Sequence, residues 1–222
     1  MSRQGWDVAA QARQVARRLR PGSYVNLGVG MPTAVADQVD PEQRVIFHCE
    51  NGLIGYRGLT DGEEGDPDVI DAGSRPVALA PGAAIVGHDM SFAIARGGRL
   101  DATVLGAYQV SADGDLASWA TPEARLSGVG GAMDLALGAQ RVIVMMRHRA
   151  RDGSPKIVRR CSYPLTAPRC VRLVVTELAV LDVLPDGLTV TELAPDVTFE
   201  ELENATDAPL RPPPPPVGQG TA

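Results

Sequence analysis

Short β-prone runs recur along this chain with helical patterns set between several of them, and that interleaving leaves few architectures open. The runs lie at residues 23–27, 45–49, 77–80, 102–105, 142–146, 171–176, 180–183 and 188–193. Several are continuous apolar stretches, the pattern of a strand buried on both faces. Helical spacing is clearest at 6–19, where Trp6, Val8, Ala9, Ala12, Val15, Ala16 and Leu19 make one apolar stripe. It recurs at 33–39, 91–96, 133–137 and 198–205. Strands outnumber helices and the alternation is irregular, so the expected fold is α/β with a mixed sheet, not a regular barrel. A chain of 222 residues can bury one sizeable core. The domain is expected to fill residues 1–206, with 207–222 an extended, mobile Pro-rich tail containing five consecutive prolines at 212–216.

Composition removes whole classes of function. Hydrophobic residues at 44% and charged residues at 22% exclude general disorder. No uncharged stretch reaches the roughly 18–20 apolar residues of a membrane helix. The first twenty residues spread charge where a signal peptide would be apolar, so secretion by that route is not expected. Cys49, Cys161 and Cys170 form no CxxC pair and no disulfide framework, which fits a reducing cytoplasm. A net charge of −6 argues against a nucleic-acid surface. His48, His88 and His148 show no HxxxH or HExxH spacing, so no metal ligand set is expected. There is no GxSxG elbow and no phosphate loop, and Thr33 stands where a dinucleotide fingerprint would need its third glycine. The acidic stretch 61–68 reads as a solvated loop, with a weak divalent-cation site as the sharper alternative.

Three segments remain that can carry chemistry: Glu50-Asn51-Gly52 after a predicted strand, the turn Gly28-Val29-Gly30-Met31-Pro32, and Gly130-Gly131-Ala132 before a helical pattern. Glycine turns beside helix starts expose backbone N–H groups that can hold a phosphate, a carboxylate or a developing oxyanion. For Glu50 two readings stand: a structural carboxylate at a strand end, or a nucleophile or base. Asn51 either orients that carboxylate or simply makes an Asn-Gly turn. Cys49, ending an apolar strand, reads as packing.

Taken in order, these segments resemble a known family. Tyr24-Val25-Asn26-Leu27-Gly28-Val29-Gly30-Met31-Pro32, Glu50-Asn51-Gly52, the stretches 97–110 and 114–119, Gly130-Gly131-Ala132-Met133-Asp134-Leu135 and Cys161-Ser162-Tyr163-Pro164-Leu165-Thr166 resemble the B subunit of the family I CoA-transferases, over about residues 6–193. The similarity is to the 3-oxoacid and 3-oxoadipate members. The resemblance implies an α/β domain of the CoA-transferase type, similar in fold to ribose-phosphate isomerases and glucosamine-phosphate deaminases. It also implies a separate A subunit as partner in a hetero-oligomer. Coenzyme A would be a substrate, with no tightly bound cofactor and no metal. Glu50 would be the nucleophile of a ping-pong transfer through a glutamyl-CoA thioester. Gly130, Gly131 and Ala132 would supply oxyanion donors, and Asn26, Asn51 and Gly52 would line the pocket. The chain departs from the family at Leu53-Ile54-Gly55-Tyr56-Arg57-Gly58, which points to an altered substrate pocket. There Arg57 either grips the distal carboxylate of a dicarboxylic acid or sits in solvent. Ala124 and Ser127, with Arg125 near, replace lysines that often precede the glycine loop, which bears on CoA phosphate contacts. Two competing functions are an acyl-CoA hydrolase using the same glutamate and a ligand-sensing or scaffolding domain without activity.

Overall fold

The computed structural model describes residues 5–122 and 128–213. It opens with α1 (Val8–Ala16), capped by the Asp7 carboxylate, which accepts from the Ala10 amide at 2.7 Å. Such a cap satisfies one of the amides that a helix start leaves without an intrahelical partner. The predicted stripe is its buried face, with Ala12 and Val15 at 0% exposure. The helix is shorter than the stripe, because Arg18 and Leu19 donate to the carbonyls three residues back and tighten the last turn.

Then follow β1 (Tyr24–Leu27), β2 (Ile46–His48), β3 (Leu53–Arg57), β4 (Ala78–Ile85), α2 (His88–Arg96), β5 (Ala102–Leu105), β6 (Gln109–Ser111) and β7 (Leu116–Ala117). After these come α3 (Ala132–Gly138), β8 (Val142–Met145), β9 (Ile157–Val158), β10 (Val171–Val175), β11 (Ala179–Leu184), β12 (Gly187–Leu193), α4 (Phe199–Ala205) and β13 (Leu210–Arg211). Among the described residues ten strands form one sheet in the order β13-β12-β11-β10-β8-β5-β1-β2-β3-β4. Its centre, β10-β8-β5-β1-β2, is parallel. On one side β3 and β4 extend it antiparallel, and on the other β11 and β12 do the same. This is the mixed α/β sheet expected. A small second sheet, β7-β6-β9, lies beside it.

Period-two alternation divides the core. On β8, Val142 and Val144 join Ala95 of α2 and Leu135 of α3, while Ile143 and Met145 join Ala12 and Val15 of α1. The result is three layers, helix–sheet–helix. Each large apolar side chain so taken out of water contributes about 1.5–3 kcal/mol.

Two elements differ from expectation. The helical pattern at 33–39 is a 3-10 helix, Met31–Asp37, in which Thr33 donates to Gly30 and Gln38 to Val35. Pro32 cannot donate, and the segment is too short to recover an α-helical ladder. Past residue 206 the chain is still engaged: Ala208 is buried and β13 pairs with β12, so the described part of the tail begins inside the sheet. Residues 214–222, with most of the proline run, lie outside the described residues.

α4 is held by a capping box, Thr198 with Glu201, and its far end rests on His148. That imidazole is fully buried between the Thr176 hydroxyl at 3.0 Å and the Thr206 hydroxyl at 2.9 Å. Burial pushes its pKa down to about 4. The folded state therefore prefers the neutral ring, and the resulting stability is complete above the unfolded pKa of about 6.5 and lost as pH falls through the folded value. Urea unfolding at pH 7 and pH 4.5 should show a loss of about 2–3 kcal/mol from this residue, and His148→Gln should flatten that dependence.

Candidate active site

Parallel strands place their carboxyl ends along one edge, where α/β sheets hold ligands. At that edge β1 runs into Gly28, whose amide donates to the Val104 carbonyl at 2.9 Å, and β5 runs into Gly106. β2 ends at His48, and the chain then doubles back into β3 through a tight loop. Within it the Cys49 amide donates to the Leu53 carbonyl at 2.8 Å, and the Gly52 amide to the Cys49 carbonyl at 3.0 Å. Glu50 rides on this loop, half-buried. Gly52 is there because its φ is +113° and a Cβ would stand 2.1 Å from the Val86 carbonyl oxygen.

A cavity of about 480 Å³ opens over the edge, and Glu50, Gly28-Val29 and Gly130-Gly131-Ala132 all line it. Gly131 meets Glu50 closely: a Cβ there would lie 3.2 Å from Glu50 Oε2 and 2.4 Å from Phe92 Cζ of α2. Glycine at 131 thus lets the loop backbone settle against an aromatic ring and the carboxylate together. Arg96 of α2 pairs with Asp134 of α3 at 2.9 Å and lies over the Phe92 ring at 5.4 Å, tying both helices at this place.

The structure brings together Glu50, Gly130, Gly131 and Ala132, and it separates the other predicted residues from the cavity. Asn26 is fully buried beneath the edge, its amide on His48 and its carbonyl accepting from Thr103 at 2.9 Å. Asn51 turns away from Glu50 and donates to the Ile70 carbonyl at 2.8 Å. Gly52 shapes the loop without lining the cavity. Arg57 is far off, because β3 runs antiparallel to β2 and carries it about 13 Å of strand away from the Glu50 loop. There it forms a two-point pair with Glu63 at 2.7 and 2.9 Å. The departing segment 53–58 is consequently a strand, with Tyr56 buried against Phe47, and its residues do not line the Glu50 cavity. Glu63, in the acidic stretch, is occupied by Arg57 and Thr60. Ala124, Arg125 and Ser127 lie outside the described residues.

Site residues that the sequence reading did not single out come from the other wall. Tyr108 follows β5, and Trp119 follows β7 with its indole N–H on the Leu165 carbonyl at 3.3 Å. Ser118 is anchored by Thr166, and Gln109 by Ser162, so the second sheet and the 161–167 segment brace this wall. Both aromatics fall within segments quoted for the family likeness, and that was their only signal. Cys49, next to the carboxylate, is buried, which pushes its thiol up to about 11 and leaves it inert as a nucleophile.

A strand-edge carboxylate, a glycine loop leading into a helix and a cavity between them are thus set on a mixed α/β sheet, an arrangement suited to acyl chemistry. The chain belongs to the coenzyme A transferase family, whose model matches residues 8–205. It is 48% identical over 200 residues to the B subunit of 3-oxoadipate CoA-transferase from Pseudomonas putida, covering 90% of this chain and 93% of the relative. It is 43% identical over 197 residues to the beta subunit of acetate CoA-transferase from Escherichia coli K12, covering 89% and 90%. Among solved structures it superposes on the acyl-CoA transferase YdiF of Escherichia coli O157:H7 with a TM-score of 0.74 at 21% identity. That match covers 94% of this chain and 42% of the other, so this chain spans under half of the longer protein's length. No helix among the described residues is long and apolar enough to cross a membrane.

Proposed function

We propose that this chain is the nucleophile-bearing subunit of a CoA-transferase that moves CoA from an acyl-CoA to a short-chain 3-oxo or dicarboxylic acid. The observation that carries the reading is the placement of Glu50 beside Gly131 in a cavity that Gly130 and Ala132 also line. A carboxylate oxygen of Glu50 attacks the thioester carbonyl, the C–S bond breaks, and an acyl-glutamyl anhydride and CoA thiolate result. The thiolate then attacks the glutamyl carbonyl, releasing the first acid and leaving Glu50 as its CoA thioester. The acceptor carboxylate attacks that thioester, and the returning thiolate takes the acyl group from the new anhydride. Each attack builds a negative oxygen, and backbone N–H groups of the 130–132 loop, which lines the same cavity, are proposed to hold that charge. Binding energy from the remote parts of CoA drives these strained states.

The relatives' names, as B and beta subunits, support a hetero-oligomer with a separate A subunit. So does the charge of the cavity: among the described residues lining it none is cationic. Contacts to CoA phosphates and to a distal carboxylate then fall to the A subunit. Tyr108 and Trp119 offer apolar surface to the acyl chain and pantetheine.

The test is peptide mass mapping of the complex with the A subunit, following incubation with a panel of acyl-CoAs and borohydride. Reduction confined to Glu50 is expected, and the donors producing it rank the substrates. No adduct in a complex that binds CoA overturns the reading, and CoA release without an acceptor acid turns it toward hydrolysis.

A further inference from the structure

Directly beneath Glu50 lies a chain of fully buried polar side chains that takes no part in the steps above. Asn26 on β1, His48 on β2, Ser91 on α2 and Thr103 on β5 are each at 0% exposure. Their hydrogen bonds have a single direction. The Asn26 amide nitrogen lies 3.2 Å from the His48 carbonyl oxygen, so it is the donor end, and Thr103 Oγ1 donates to the carbonyl end at 2.9 Å. That same nitrogen is 3.1 Å from His48 Nδ1, which must therefore accept. A neutral ring that accepts at Nδ1 carries its proton on Nε2, which lies 3.0 Å from Ser91 Oγ. Ser91 accepts there and spends its own proton on the Cys49 carbonyl at 3.2 Å. Burial lowers the His48 pKa, which keeps the ring in this neutral form.

The chain ends on one atom of consequence. The Cys49 carbonyl belongs to the peptide plane that leads into Glu50, and it already accepts from Gly52. Held from both sides, that plane cannot tilt, and the carboxylate hung from it keeps its place against Gly131. Misplacing a reacting group by about 1 Å can cost on the order of a hundredfold in rate.

We propose that His48 and Ser91 are positioning residues: oriented by Asn26, they fix the Cys49 carbonyl and thereby aim the Glu50 carboxylate. The proposal rests on the reading of Glu50 as nucleophile. Ser91→Ala in the complex with the A subunit is expected to lower kcat about tenfold, with KM for acyl-CoA within about twofold of the parent. The rate of borohydride-trapped adduct formation at Glu50 should fall in proportion. At position 48 the two amides separate the roles: Asn can keep the acceptor for Asn26 but not reach Ser91, whereas Gln keeps a donor to Ser91. His48→Asn should therefore match Ser91→Ala, and His48→Gln should retain most of the parent rate. The double variant S91A/H48N should be no slower than S91A within about twofold, because both break one chain. Should S91A fail to assemble into the complex, Ser91→Cys, of similar volume and weaker hydrogen bonding, gives the same readout. A raised KM at unchanged kcat, a parent-like S91A, or multiplied losses in the double variant overturns the proposal. Absence of the Glu50 adduct in the parent complex overturns the nucleophile reading and this proposal together, whereas a normal parent adduct beside a parent-like S91A overturns this proposal alone.

Discussion

Glu50→Gln is expected to lower CoA transfer on the order of ten-thousandfold or more, with the A subunit still bound and the fold intact. Gln keeps the shape and the contact with Gly131, but its amide oxygen cannot open a thioester and hold the acyl group as an anhydride. The side chain is half-buried on a loop and lies outside both core clusters, so thermal stability should move by no more than about 0.5 kcal/mol. Steady-state kinetics beside a melting curve checks both halves of the expectation. A variant within tenfold of the parent would move the nucleophile to another residue.

Gly52→Ala should give the largest stability loss of any single methyl added near the site. Its φ of +113° is a region that costs a non-glycine residue about 1–3 kcal/mol. In addition the new Cβ would stand 2.1 Å from the Val86 carbonyl oxygen, a backbone atom that cannot rotate away. Together these give on the order of 3 kcal/mol or more, or a Tm lowered by about 6–12 °C for a domain of this size. Activity should fall with it, because the same loop holds Glu50. Gly62→Ala is the matched control: its φ is +79° but nothing stands within 4 Å of the new methyl, so only the backbone cost of about 1 kcal/mol remains. If the two variants melt together, the close approach of Val86 does not govern the loop.

Much of this architecture could be read from side-chain order alone, and the residues show why. The α1 stripe and the apolar runs of β1, β5, β8 and β10 are buried by local periodicity, so their pattern is written in consecutive residues. Glu50 and the Gly130-Gly131-Ala132 loop could be named because they fall in order among the segments of the family resemblance; alone, a carboxylate after a strand and glycines before a helix are also ordinary structural features. What escaped was set by distant pairing. β3 depends on β2 and β4, and the segment with Tyr56 reads as an altered substrate pocket until Phe47 is placed beside Tyr56. Arg57 was tied to substrate in one reading, but Glu63 six residues on engages it at the far end of the strand. Asn26 was expected in the pocket and instead serves beneath it, a distinction of one layer that spacing along the chain does not encode. The two- and three-residue strands of the second sheet carry too few residues for any period to show.

The placement of α2 has a consequence for how such a protein can diversify. One helix reaches the Glu50 loop twice, through Ser91 under the Cys49 carbonyl and through Phe92 under Gly131, and Arg96 fastens it to α3. Substitutions along it would disturb the Glu50 carboxylate and the Gly131 backbone at once. The opposite wall, with Tyr108 and Trp119, is built around a separate small sheet. If Glu50 is the nucleophile as proposed, varying that wall is expected to change acid preference while leaving the Glu50 loop and α2 undisturbed.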